Sequence, residues 1–353
     1  MKGVRLLGAG GLYLLLILVL YVIAVPIVER IVKRFYYEQV VKRMVVSKET
    51  LLQRQPFYLG IYRPELPYHF DKLFQVEDSL GAAITILSFY QAWGDGEEHR
   101  LNPEVLANIA KGGYVPMITW EPWISAFEKY RGQARDSSLL LVARGEFDGY
   151  VREWAREAVR FGKPIFLRYA HEFSNPWYAW SGRYGNDSAV FREAWKHVHG
   201  IFREEGARNV AFVWNPYQAS DTSYYPGDAY VDWIGLDVFN FGPVVENGFF
   251  LDFFSILHGT YGVMQAYGKP ILLAETGSVS AGGDKNLWYR DMFRSLAQGN
   301  FPRVKGLVVF DNPVGKAPNG LAIDLAMTSD STVYAGLRES GALERLRVPI
   351  PRR

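Results

Sequence analysis

Two glutamates stand out for their neighbours. Glu172 closes the stretch Arg168-Tyr169-Ala170-His171-Glu172, with Trp177, Tyr178 and Trp180 soon after, and Glu275 lies in Ala274-Glu275-Thr276-Gly277. Each closes a short apolar run, PIFL (164–167) for the first and PILLA (270–274) for the second. A pair of carboxyl groups in opposite protonation states is what displacement at an acetal carbon needs. One gives its proton to the leaving oxygen while the other attacks the anomeric carbon, and at about 5–5.5 Å separation configuration is retained. The acid needs burial and a negative neighbour to raise its pKa; the nucleophile needs donors that keep it ionised. Strand alternation sends 168, 170 and 172 to one side and His171 to the other. Arg168 is therefore expected to hold a carboxylate, Glu275 before Glu172, and His171 to orient Glu172 rather than bind metal. Taken alone, a strand-end glutamate beside an arginine is more often a plain ion pair.

Such a pair, 103 residues apart in sequence, needs a scaffold that brings strand ends together. Eight apolar runs rich in Val, Ile, Leu and Phe supply one: 57–62, 83–90, 114–120, 164–170, 209–214, 232–239, 270–275 and 305–311. Near-continuous apolar runs are typical of parallel strands covered on both faces. Amphipathic stretches alternate with them. One (147–162) carries Tyr150, Trp154, Ala158 and Phe161 on one stripe and stops at Gly162-Lys163-Pro164; another (188–206) carries Phe191, Trp195, Val198 and Phe202; a third (249–268) ends in the same Gly-Lys-Pro punctuation. This order predicts a (β/α)8 TIM barrel over 56–345, with a tail at 346–353, and places the site at the C-terminal ends of the strands. A doubly wound open sheet would want a glycine-rich phosphate loop after its first strand, and none is present.

The totals exclude some chemistry. No cysteine occurs among the 353 residues, so disulfides, thiolate nucleophiles and Cys-ligated metals are out. A net charge of +2 gives no case for nucleic acid. Of six histidines, those outside the site form no metal set, and His197 and His199 are expected to face solvent from a helix. No metal and no organic cofactor are expected. Aromatics reach 15%, flat rings suited either to a large core or to sugar faces. Trp154 and Trp195, on helix stripes, are expected in the core. Trp177, more weakly Trp180, and Trp120 in TWEPW are expected to contact substrate. Glu121 beside Trp120 is a third carboxylate and a rival to Glu172; Asp237 is expected at the mouth, on sugar hydroxyls or Arg168.

At the N-terminus, Leu6 to Val28 run 23 residues without a charge, long enough as a helix to span a bilayer core of roughly 30 Å. The reading is a membrane anchor over 1–28 followed by a juxtamembrane helix and linker over 29–55. A cleaved signal peptide, leaving a secreted protein, is the alternative, but the cleavage site at Tyr21-Val22-Ile23-Ala24 is poor. The barrel is expected outside the cytoplasm. The positive-inside count conflicts with this, because Arg30, Lys33, Arg34, Lys42 and Arg43 follow the span and only Lys2 and Arg5 precede it.

R-x-x-H-E followed by W-Y-x-W, together with GEFDGYVREWA (145–155), FVWNP (212–216), YYPGDAYVDWIGLDVFN (224–240) and KPILLAETGS (269–278), resembles glycoside hydrolase family 26, retaining (β/α)8 enzymes that include β-mannanases. The likeness runs over about 56–315 in the right order. It implies Glu172 as acid/base, Glu275 as nucleophile and Trp177 as the aromatic shaping the site, with Asn215 and Tyr217 on the adjoining loop among the substrate contacts. Two positions depart from the family's pattern. Phe239 stands where a tyrosine commonly hydrogen-bonds the nucleophile, so that hydroxyl is missing or comes from elsewhere, with Asn240 or Tyr217 as candidates. Phe310 stands where a tryptophan floor is expected. The resemblance implies a retaining endo-β-glycosidase on a β-linked polysaccharide, β-1,4-mannan first. The alternatives are a β-1,3/1,4-glucanase or exopolysaccharide hydrolase, or a non-catalytic glycan-binding or assembly protein on a hydrolase barrel.

Overall fold

The computed structural model describes residues 57–70, 72–131, 138–329 and 331–348. The segment read as anchor and linker lies outside them, as do residues 349–353. Among the described residues no helix is long and apolar enough to cross a membrane.

All eight apolar runs are parallel strands: β1 (Tyr58–Tyr62), β2 (Ile86–Ala92), β3 (Val115–Glu121), β4 (Ile165–Tyr169), β5 (Val210–Trp214), β6 (Trp233–Asn240), β7 (Ile271–Ser278) and β8 (Val304–Phe310). They close in sequence order, β8 pairing back onto β1 from Tyr58↔Gly306 to Tyr62↔Phe310. Period-two alternation divides each strand between two cores. Inside the barrel lie Tyr58, Ile86, Val115, Met117, Phe166, Ala211, Val213, Trp233, Leu272, Ala274 and Val308. Their neighbours along the strands, Leu59, Leu87, Ile118, Leu167, Phe212 and Leu307 among them, face the helices. The strands pack tightly enough that a Cβ on inward Gly60 would stand 2.8 Å from Val308 Cγ2.

The helical layer comprises α1 (Leu73–Leu80), α2 (Pro103–Gly112), α3 (Ser138–Ala143), α4 (Asp148–Phe161), α5 (Ser188–Glu204), α6 (Phe253–Met264), α7 (Lys285–Ala297), α8 (Ser331–Glu339) and α9 (Ala342–Arg345). Their starts are chemical. Asn102, Asp187, Asp252 and Asp284 each accept from backbone N–H groups of the first turn. The cap at Asp252 is why the third predicted helix starts four residues later than its apolar run. Gly162, left-handed at φ 66°, ends α4 just before β4. The α5 stripe is buried as expected, with Phe191, Trp195, Val198 and Phe202 inward. On α4 the buried face is Val151, Trp154, Ala155 and Ala158, leaving Tyr150 and Phe161 half-buried at its margins. His199 corrects its solvent-facing assignment. It lies on the same inner face of α5, packed edge-on to Phe212 and Tyr230.

The barrel departs from regularity at β7. Leu236 pairs Leu273, but Asp237 pairs Glu275, so Ala274 is an extra residue against β6. Leu272 and Ala274 face the barrel interior, and strict alternation would turn Glu275 out toward the helices. A bulge resets the phase and re-aims the side chain beyond it. Beyond β8, a hairpin of β9 (Pro313–Lys316) and β10 (Ala322–Asp324) precedes α8 and α9.

Candidate active site

At the C-terminal ends of the strands, the inward phase presents Tyr62, Tyr90, Thr119, Arg168 and Phe310, with Asn215 just past β5 and Asp237 on β6. Arg168 is the hub. It is fully buried, and its fork spends donors on Thr119 Oγ1 at 2.9 Å, Asp237 Oδ1 at 3.0 Å, the Tyr90 hydroxyl at 3.4 Å and Glu275 Oε1. The Tyr90 hydroxyl donates in turn to the same Oε1. Asn215 supports this set from below, its Nδ2 donating to Asp237 Oδ2 at 2.9 Å. Arg168 thus holds two carboxylates, the expected Glu275 and Asp237 beside it.

Glu172 reaches the mouth by another route than alternation. β4 stops at Tyr169, and Ala170 and Glu172 both take left-handed backbone, φ 43° and 47°. Non-glycine residues held there cost on the order of 1–3 kcal/mol each, and such strain gathers at functional sites. The turn is held by Glu172 N donating to Asn215 O at 2.9 Å and by the Trp180 indole donating to His171 O at 2.7 Å. Asn175 Nδ2 donates to Glu172 Oε2 at 2.8 Å, while Asn175 Oδ1 accepts from Trp177 N at 3.1 Å. His171 is not the orienter of Glu172. Its Nε2 shares a hydrogen bond with the Tyr178 hydroxyl at 2.9 Å, and burial, aided by Arg168, depresses its pKa so that it stays neutral.

Arg168 faces Glu275, Asp237, Glu172 and Glu121, and three of these four carboxyls are shifted toward the protonated form. Burial raises Glu172, helped by the Glu275 charge and opposed by the Asn175 hydrogen bond and by Arg168. Burial likewise raises Asp237 well above its ordinary value, against Arg168 and with the help of Glu275 and Glu172. Glu121 is pushed by burial up to about 7, although Trp123 Nε1 donates to it at 3.2 Å. A half-buried, protonatable Glu172 and a Glu275 held by an arginine and a phenol can supply the proton donor and the anionic partner that acid-assisted glycoside cleavage requires. Among the described residues no group of His, Asp and Glu is placed to hold a metal ion.

The sequence pattern of Glycosyl hydrolase family 26 matches residues 98–272. The chain belongs to this family. It is 31% identical over 198 residues to Endoglucanase H of Acetivibrio thermocellus, a stretch covering 53% of this chain and 21% of that protein. With a β-1,3-xylanase of a Vibrio species it shares 29% over 115 residues, covering 31% and 24%. With a mannan endo-1,4-β-mannosidase of Bacillus subtilis it shares 26% over 176 residues, covering 48% and 45%. The matched stretches thus span less than half the length of these relatives. In fold, a family 26 β-mannanase from Bacteroides ovatus aligns with a TM-score of 0.59 at 16% identity, over 90% of this chain and 94% of that one.

The family 26 barrel sorts the other residues singled out in the sequence. Trp120 is fully buried on the helix-facing side of β3, packed on Trp93 and Trp154, and cannot meet a sugar. Its parity opposes that of inward Met117 and Thr119. Trp180 is fully buried too, stacked on Tyr178 and edge-on to Trp123 beneath the Glu172 turn. Asn240 is buried and tied to Ser278 Oγ and Leu251 N, a brace for the loop after β6. Asn215 is likewise buried and engaged with Asp237, so both asparagines are braces rather than substrate contacts. Trp177, 75% exposed, and Tyr217 stand free on the loops after β4 and β5. Phe239 is edge-on to Phe310, which stacks on Tyr62 at 4.6 Å. Neither Asn240 nor Tyr217 has a hydrogen bond to Glu275; Tyr90 does, and the sequence reading passed it over. The signal was there in Ile86-Ser88-Tyr90, the inward phase of β2.

Proposed function

We propose that this family 26 hydrolase is a retaining endo-β-glycosidase acting on a β-linked polysaccharide, with Glu275 as nucleophile and Glu172 as acid/base. The supporting observation is the convergence of Arg168 and Tyr90 on Glu275 opposite a Glu172 whose burial favours the protonated form. In the first step Glu275 bonds the anomeric carbon as the glycosidic bond breaks, and the leaving oxygen takes the Glu172 proton. In the second, Glu172 takes a proton from water, which displaces Glu275. Asn175 links this acid to the Trp177 loop, so a ring stacked on Trp177 is registered against the proton donor.

β-1,4-Mannan is the first substrate, on the strength of several mannan endo-1,4-β-mannosidases among the relatives. A β-1,3/1,4-glucan is the second reading, favoured by the higher identity to an endoglucanase. The uncharged segment 6–28 completes the reading as a tether holding the barrel near its polymer. Reducing ends released from a panel of mannans, glucans and xylans, with Glu172→Ala and Glu275→Ala beside wild type, test it, and proton NMR of the first product reads the anomer. Release of the β-anomer that both substitutions abolish is expected. Binding without release from any glycan, or an inverted first product, would refute the proposal.

A further inference from the structure

Both donors that reach Glu275 converge on one oxygen. Arg168 Nη2 and the Tyr90 hydroxyl meet at Oε1, and no donor among the described residues reaches Oε2. On β6, where the family resemblance expects a hydroxyl for the nucleophile, the ring of Phe239 offers none and packs instead on Phe241 and Phe310. Tyr90 comes from β2, on the opposite wall. Its ring is fixed edge-on to Tyr62 at 5.2 Å, lies 6.0 Å from the His171 ring, and carries the Arg168 guanidinium 5.7 Å from its centroid. Because Arg168 donates to the Tyr90 oxygen, the phenol proton is left with Glu275 as its acceptor.

Resting on the reading of Glu275 as nucleophile, we propose that Tyr90 replaces the missing β6 tyrosine and acts as a catalytic residue on the second step. Oε2 is the attacking atom. As its bond to the anomeric carbon forms, the leaving oxygen departs with the bonding pair and the Glu172 proton, and Oε1 becomes the ester carbonyl. When water attacks, the C1–Oε2 bond breaks, its pair returns to the carboxylate, and the water proton goes to Glu172. Negative charge grows on Oε1 and Oε2 only in this second transition state, so a donor waiting at Oε1 is worth more there than in the ester. Burial holds the phenol far above its ordinary pKa, so Tyr90 remains a donor throughout the working range.

The test is Tyr90→Phe, which keeps the ring contacts and removes the hydroxyl. The probes are 2,4-dinitrophenyl β-mannobioside and β-cellobioside, whose good leaving group makes the second step limiting, and their 2-fluoro analogues, which trap the ester. For a hydrogen bond to a charged group, kcat should fall about 10- to 100-fold. KM should fall with it so that kcat/KM holds, the stoichiometric burst of dinitrophenolate should persist, and the trapped adduct on Glu275 should live correspondingly longer, with an unchanged unfolding midpoint. A merely structural role would lower kcat/KM without a burst, and that result overturns the proposal. Equal adduct lifetimes in the two proteins also overturn it while leaving Glu275 as nucleophile. No adduct on Glu275 in wild type removes the nucleophile reading and this proposal together.

Discussion

Replacing Arg168 with methionine tests the site's electrostatics without reference to any substrate. Methionine keeps an unbranched, roughly similar stem and removes a charge that is fully buried. Three well-formed partners lose their donor: Thr119 at 2.9 Å, Asp237 at 3.0 Å, and Glu275. Breaking one partner out of a buried ion pair costs about 3–5 kcal/mol, because the other charge is left uncompensated. That is a large share of the ~5–15 kcal/mol that holds a domain folded. The cost depends on pH, and its sign follows from linkage. Asp237, Glu172 and Glu121 have folded pKa values above their ordinary ones, and Arg168 opposes all three shifts. Removing it raises them further. A native state that binds more protons than the unfolded chain loses stability as pH rises. The deficit should therefore be smallest near pH 4.5, where the carboxyls can protonate, and should widen through pH 7.5 to about 3–5 kcal/mol. Equilibrium urea unfolding at pH 4.5, 6 and 7.5 measures it. A loss below about 1 kcal/mol at pH 7.5, or an equal loss at all three values, would refute the account of Arg168 as the buried counter-charge.

Glu121→Gln should gain stability above neutrality. With its folded pKa at about 7, Glu121 contributes stability below its ordinary range that is lost as pH rises through 7, whereas glutamine escapes that loss. Thermal unfolding should show near-equality at pH 5 and a gain of about 1–3 kcal/mol at pH 8.5; equality at both values counts against a buried carboxyl. Trp177→Ala and Trp180→Ala should separate cleanly. The first, on an exposed ring, leaves stability within about 0.5 kcal/mol and raises KM on polysaccharide, while the second opens a buried cavity and costs about 3–5 kcal/mol. The reverse ranking in calorimetry and kinetics would overturn the placement of the two rings. Gly235→Ala puts a Cβ 2.3 Å from Asn215 Oδ1, so Asn215 must leave Asp237. A loss of about 1–3 kcal/mol with reduced activity is expected, and a fully stable, fully active variant would show that the asparagine is not needed.

The number of strands, their order and the helix stops were all legible locally. Runs such as NVAFVW and KGLVVF are apolar on both faces because both faces are covered, and Gly162-Lys163-Pro164 ends a helix through one left-handed residue and a ring that cannot continue it. Arg168 and the two glutamates were legible as types able to do one chemistry. Their meeting depended on distant pieces. Glu275 turns inward only because Ala274 bulges against β6, and no periodicity within ILLAETGS announces that. Glu172 faces the mouth through two left-handed residues where alternation assumed a straight strand. Trp120 and Trp180 are indistinguishable from Trp177 by type, yet helix packing and the turn below Glu172 bury them. Tyr90 finds its acceptor 185 residues away. Sequence periodicity sets which face a residue shares with its neighbours. Which atom stands opposite it across a closed barrel is set by register and bulges that only chain closure fixes.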